Sequence, residues 1–296
     1  KYLKLFEDFD KRIPDELKYI ASQIRPDLIE NGNNSFYKNY SFGSYKFNLN
    51  ITYTKGEKRP YLSNLNYTEF FRNPFIVFEI PIYVIDEKID IDLLLSVITH
   101  EVRHIYDIYN IVSDYGVISF YKGALLKIFK DTSYQLFTDH VYLCLEHELI
   151  ARHNMIYPQY RWLEITDKNI LYNLYLKSYS YTSLIQLKDF NHLYFINNFK
   201  ESDLVYYTNE FIKNVAKENN FCHNKIELIN FYKKWEEFFK HKSNEYLNYV
   251  DDMLDDVIND IKNDKVFENQ VWEYNEYIID GAYKIFKEFY KKIFNL

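Results

Sequence analysis

The sequence predicts an α+β protein that is predominantly helical, with a small sheet confined to its first third. Three observations predict it. Two short segments before residue 90 have strand character. From Ile91 onward, apolar residues recur at helical spacing almost to the end. Only 6 Gly and 6 Pro interrupt the 296 residues, which leaves few sites for breaks. A chain of this length can bury one large core or two ordinary ones.

The elements follow in order. Pro14 fits a first helical position, DELKYIASQI continues the helix, and the Asn-Gly cluster at 31–34 ends it. Over 45–54 the residues Tyr45, Phe47, Leu49, Ile51 and Tyr53 alternate with polar neighbours, the period of a half-buried strand. The apolar run 75–85 reads as a second strand, and its Pro81 predicts an edge position or a bulge. A loop at 86–90 leads into helix. Helices are predicted over 91–110, 116–130, 133–156, 168–178, 181–198, 203–218, 224–262 and 268–294. Pro158 and the QYRWLEITDKN after it mark the clearest boundary, giving 1–160 as a mixed region and 161–296 as a helical one. The connection is short for a flexible linker, so a single domain is the alternative.

Composition excludes several classes. Apolar residues are 47% and charged residues 27%, which rules out a collagen-like, purely coiled-coil or largely disordered chain. The net charge of −7 argues against a nucleic-acid binder, which carries a basic footprint. Cys144 and Cys222 are too few for a disulfide framework and read as buried thiols. No run of about 18 apolar residues occurs, so no membrane span is expected. The N-terminal KYLKLFEDFDKR has no signal-peptide core. A cytoplasmic or virion-associated protein is expected, with a processed N-terminus left open because the chain starts at Lys. Aromatics reach 20%, with 29 Asn against 5 Ala. AT-rich coding favours that skew, so the aromatics do not argue for a carbohydrate or base-stacking surface.

The chemistry centres on His100, Glu101 and His104 in LLLSVITHEVRHIYDIY, an H-E-x-x-H pattern. Residues four apart share a helix face, so both imidazoles can meet one metal ion. Glu101 sits about 100° round the helix from His100. There it can take a proton from a water that zinc acidifies toward a pKa of about 7. Leu93, Val97, His100, His104, Ile108 and Ile111 are expected on one face. Two histidines in an apolar stripe need partners there.

A hydrolytic zinc site needs a third protein ligand and an open fourth position. After His104 the chain continues IYDIYN, so the x-x-G-x-x-H extension of metzincins is absent. VYLCLEHELIARHNMIY offers Glu146 and Glu148, about 200° apart round a helix. Glu148 is preferred. It shares a predicted face with Val141, Cys144, Leu145, Ala151 and Met155, where a carboxylate is expensive unless paired or metal-bound. An ion pair with Arg152 is the alternative role for Glu148.

Strand, loop, H-E-x-x-H helix and a second helix carrying Glu together resemble a zincin of the gluzincin branch. Glu148-Leu-Ile-Ala151 resembles the E-x-x-A pattern of compact bacterial and phage zincin-like families. The likeness covers about 75–157, with 116–130 as an insertion, and leaves 165–296 unassigned. It implies one zinc per chain on His100, His104 and Glu148, Glu101 as general base, and a peptide or protein substrate. It also implies that the strand near 75–85 takes substrate as an added strand. The expected function is thus a zinc metallopeptidase. The alternatives are a structural or interaction protein on the same framework, such as a phage virion component, or a zinc-dependent toxin or effector. The helical C-terminal half would serve a protein partner.

Weaker candidates complete the list. Asp107 is read either as a support for a ligand imidazole or as a solvated helix Asp. One of His140, His147 and His153 could stabilise an oxyanion, though structural roles are preferred. Asp252, Asp256, Asp260 and Asp264 form an i,i+4 ladder expected to be a solvated face. The terminal YKIFKEFYKKIF is an amphipathic core or partner helix.

Overall fold

The computed structural model describes residues 13–32, 34–42, 45–53, 61–62, 78–84, 90–110, 132–144, 146–213 and 220–268. The helix expected over 116–130, nearly all of that over 268–294, and the terminal amphipathic segment lie outside them. The described chain is α+β and mostly helical, with one small sheet.

Helix α1, Asp15–Asn31, starts after Pro14 and ends at Gly32, whose φ of 55° suits glycine and whose N–H returns to the Leu28 carbonyl. Strands β1 (Phe36–Phe42), β2 (Tyr45–Tyr53), β3 (Tyr61–Leu62) and β4 (Phe78–Val84) form a sheet of order β1-β2-β4-β3. β1 and β2 are antiparallel from Phe36↔Ile51 to Phe42↔Tyr45. β2 and β4 run parallel from Phe47↔Phe78 to Tyr53↔Val84. The alternation read in β2 is real: Phe47, Leu49 and Ile51 are all fully buried. At Pro81, where an edge position or a bulge was expected, β4 pairs with β2 and with no other described strand. It lies between β2 and β3, and β3 covers it at Ile82 and Tyr83. Pro81, paired to Asn50, comes just before that covered stretch. An incoming peptide strand therefore has no free edge of β4 at Ile82–Tyr83.

Helix α2 spans Ile91–Asn110, as its periodicity predicts. The helix expected over 133–156 is instead three: α3 (Thr132–Leu143), α4 (Glu146–Asn154) and α5 (Ile156–Tyr160). Then come α6 (Lys168–Tyr175), α7 (Tyr179–Lys188), α8 (His192–Asn197), α9 (Glu201–Phe211) and the 38-residue α10 (Lys225–Lys262). The segment 181–198 splits because Asn191 caps α8, its side chain accepting from the Tyr194 amide at 2.9 Å. A side chain that satisfies a backbone donor favours a new start over a continued helix.

The chain divides into two compact units. One comprises Asp10–Gly116, Ala151–Leu171 and Met253–Leu296. Its buried apolar residues include Ile20, Ile24 and Leu28 of α1, Ile80 and Ile82 of β4, and Leu95, Ile98 and Val102 of α2. α2 packs on α1 and on α5. The acidic ladder lies partly here and is not a simple solvated face. Lys18 of α1 is 2% exposed and meets Asp260 at 2.8 Å and Asp256 at 2.5 Å. Lys265 meets Asp15 at 3.0 Å.

The other unit comprises Lys1–Phe9, Val117–Ile150 and Tyr172–Asp252. Aromatics make its core. The Phe137 ring lies 5.0 Å from Tyr232 and 5.3 Å from Phe211, centroid to centroid. Within that core Tyr232 hydrogen-bonds Thr208 at 2.5 Å and donates to the Tyr134 hydroxyl at 3.0 Å. Cys144 and Cys222 are buried free thiols, as expected.

Candidate metal centre

α2 carries the first part of the site. Asp90 caps it, its Oδ1 accepting from the Asp92 amide at 3.0 Å. Arg25 of α1 donates to Asp92 at 2.9 Å and fixes the helix start. The buried face of α2 runs through Leu94, Leu95, Ile98, Val102 and Ile105. This corrects the expected stripe, since Leu93 is 36% exposed. The histidines lie at the margin of the buried face, where one side can open to a ligand. His104 is 3% exposed as a residue, and the His100 side chain 12%.

The two imidazoles meet by their Nε2 atoms, 3.1 Å apart, with ring planes at 87°. That separation would let both nitrogens face one metal ion. A proton shared between the rings satisfies the same contact when one ring is the Nε2–H tautomer. Glu101 stands beside the pair, its Oε1 3.9 Å from His100 Nε2 and its side chain 15% exposed.

α4 carries the second part. α3 stops before it, with the Cys144 amide returning to the His140 carbonyl at 3.1 Å. The face on which Glu148 was expected to join Val141 and Cys144 assumed one unbroken helix and does not exist in that form. Glu148 is nonetheless 2% exposed, and Ala151 one turn on is fully buried. The Tyr142 hydroxyl donates to Glu148 Oε1. Glu146 opens α4, and its side chain lies outside the described residues. One nitrogen each of His100 and His104 and one carboxylate oxygen of Glu148 all lie within 4.8 Å of one another. Among the described residues this is the group of three such donors placed to hold a metal ion.

The two helices are joined near the site. Arg103, 1% exposed, donates from Nε to Asp107 Oδ1 at 2.8 Å and from Nη1 to Asn154 Oδ1 at 3.1 Å. Asp107 is therefore not the solvated helix residue of one expectation. It is fully buried, and burial pushes its carboxyl up to about 6 against the opposing pull of Arg103. His140 is structural, with Nδ1 at 2.6 Å from the Leu136 carbonyl and Nε2 at 2.9 Å from that of Gln186. His153 is buried on α4, and the His147 side chain lies outside the described residues.

Sequence reasoning overlooked Arg103, Asn154 and Tyr142. An Arg and an Asp four apart within an H-E-x-R-H-x-x-D run do signal an ion pair along the helix, and burial turned it into a clamp. Nothing in the local pattern marks Tyr142. The chain matches no family model, no curated protein and no solved structure.

Proposed function

We propose that the chain binds one zinc ion through His100, His104 and Glu148 and hydrolyses peptide bonds, on a zincin-like core of α2, α4 and the sheet. The observation that carries the reading is the convergence of two imidazole nitrogens and one buried carboxylate oxygen within 4.8 Å, with Glu101 adjoining. The donor set fits the group. Two His and one Glu make a common catalytic zinc set and leave a fourth position open. Glu148 is 2% exposed, and the Tyr142 hydroxyl donates to its Oε1.

Bound zinc would acidify water and polarise a scissile carbonyl. The chain's own residues do the rest. His100 and His104 present their Nε2 atoms from successive turns of a capped, clamped helix, so little reorganisation is needed. Glu148 contributes one oxygen while Tyr142 holds its Oε1. Glu101, partly exposed and close to His100 Nε2, takes the proton of the attacking water and passes it to the departing amine.

The test is a pair of variants. Glu101→Gln is nearly isosteric, so it keeps zinc and lowers cleavage by about 10²–10⁴-fold. His104→Ala loses zinc. Zinc content and cleavage of a broad peptide library are measured for both. Unchanged cleavage in Glu101→Gln removes Glu101 as base. Zinc binding without cleavage of any peptide moves the assignment to a structural or interaction role on the same core.

A further inference from the structure

The Arg103 guanidinium is buried and reaches acceptors on two helices. It bonds Asp107 on its own helix at 2.8 Å and Asn154 on α4 at 3.1 Å. Asp107 and Asn154 are themselves fully buried. Buried ion pairs contribute weakly to net stability, and their best-attested use is to fix register between elements. Here the elements in question carry the proposed ligands. Arg103 directly precedes His104, and Asn154 ends the helix that bears Glu148.

We infer that Arg103 is a positioning residue: its bond to Asn154 sets the register of α4 against α2, and so the approach of Glu148 to His100 and His104. The inference rests on the metal reading above. The geometry makes register decisive. Slipping α4 by one residue moves Glu148 about 1.5 Å along the axis and turns it by about 100°, which takes its carboxylate out of the site. Apolar packing alone specifies such a register poorly, because hydrophobic contacts tolerate repacking. A planar fork with two fixed acceptors does not slip without losing a bond. A lysine could still neutralise Asp107 but could not hold the same bidentate geometry.

Zinc affinity of the whole chain, measured by competition with a chromophoric chelator, tests this through a double-mutant cycle. Asn154→Leu and Arg103→Lys are each expected to weaken zinc binding about 10–100-fold, the usual effect of losing a group that orients a ligand. In a Glu148→Gln background the same changes are expected to shift affinity by less than about twofold, since the ligand they act through is gone. Circular dichroism selects the variants that retain the helical fold, and Asn154→Ser replaces Asn154→Leu if the latter does not. Zinc binding by the parent with unchanged affinity in Asn154→Leu and Arg103→Lys overturns this inference alone. Equal losses in both backgrounds also overturn it, because they show a general structural effect. Absence of zinc binding by the parent overturns the metal reading and this inference with it.

Discussion

Replacing Lys18 by Met is expected to destabilise the unit that carries the histidines by about 3 kcal/mol. The ammonium is 2% exposed and lies 2.8 Å from Asp260 and 2.5 Å from Asp256. It also stands 5.0 Å from the Tyr157 ring centroid and 5.6 Å from that of Phe267. Methionine keeps the stem and most of the volume, so the change removes charge rather than packing. Breaking a buried pair costs about 3–5 kcal/mol, because the remaining charge stays desolvated. Two features bring the value to the low end. Asp256 is 36% exposed and recovers hydration, and Lys265 stands 3.9 Å from Asp260. Asp260 itself is 6% exposed and recovers little. Urea denaturation followed by circular dichroism measures the loss, with coincidence of far- and near-ultraviolet transitions checking that one step is being observed. At about 2 °C per kcal/mol for a chain of this size, the melting midpoint falls by roughly 6 °C. Adding Asp260→Asn removes the stranded charge and is expected to recover about half the loss. A loss below about 1 kcal/mol in Lys18→Met, or a further loss on adding Asp260→Asn, would refute the reasoning.

Two more outcomes are expected. Zinc at about 100 times its dissociation constant should stabilise the fold by about 2.7 kcal/mol, reversibly by chelator and not at all in His104→Ala; thermal melts with and without metal check this. Glu236 gives a pH signature. Burial raises its carboxyl, but the His192 amide, Lys240 and the His192 ring outweigh that and hold it at about 2, below its ordinary 4.5. A depressed carboxyl contributes stability above pH 4.5 and loses it as pH falls toward 2, here about 1 kcal/mol after allowance for solvent screening. Glu236→Gln should therefore lose less stability than the parent between pH 5 and pH 3, as read by denaturation at both pH values.

How much was legible in the sequence depended on what each segment had to satisfy. α2 was readable from end to end because capping at Asp90, apolar periodicity and the His pair all agree. β2 was readable because one face is fully buried, so alternation is enforced. β1 was missed for the converse reason. It is an edge strand, and among its described side chains only Tyr40 is buried. The break between α3 and α4 was missed because LCLEHEL contains no Gly, Pro or capping residue, and propensity alone favours continuing the helix there. The acidic ladder was misjudged because its partner, Lys18, lies 242 residues away in the chain from Asp260. Spacing along one helix shows which residues share a face and is silent on what that face meets.

The same residues explain why the proposed ligands sit on a stiff element in a chain with so few small residues. With 5 Ala and 6 Gly in 296, close helix contacts by small side chains are scarce. Long polar side chains join elements instead, and several of these joints are anchored on α1 or α2. Asp27 of α1 accepts from Lys38 and Tyr40 of β1, both at 2.6 Å, which ties the sheet to the helix. Arg25 of α1 takes Asp92 at the start of α2, and Arg103 of α2 takes Asn154 at the end of α4. Asp92 and Arg103 are eleven residues apart, about 16 Å along the axis, and they bracket His100 and Glu101. A hydrogen bond fails over a few tenths of an ångström, whereas an apolar contact fails gradually. Clamping a helix beside a site with directional bonds therefore limits sliding and rotation more strictly than packing does. That restriction is what two imidazoles 3.1 Å apart require if they are to meet one ion without rearrangement.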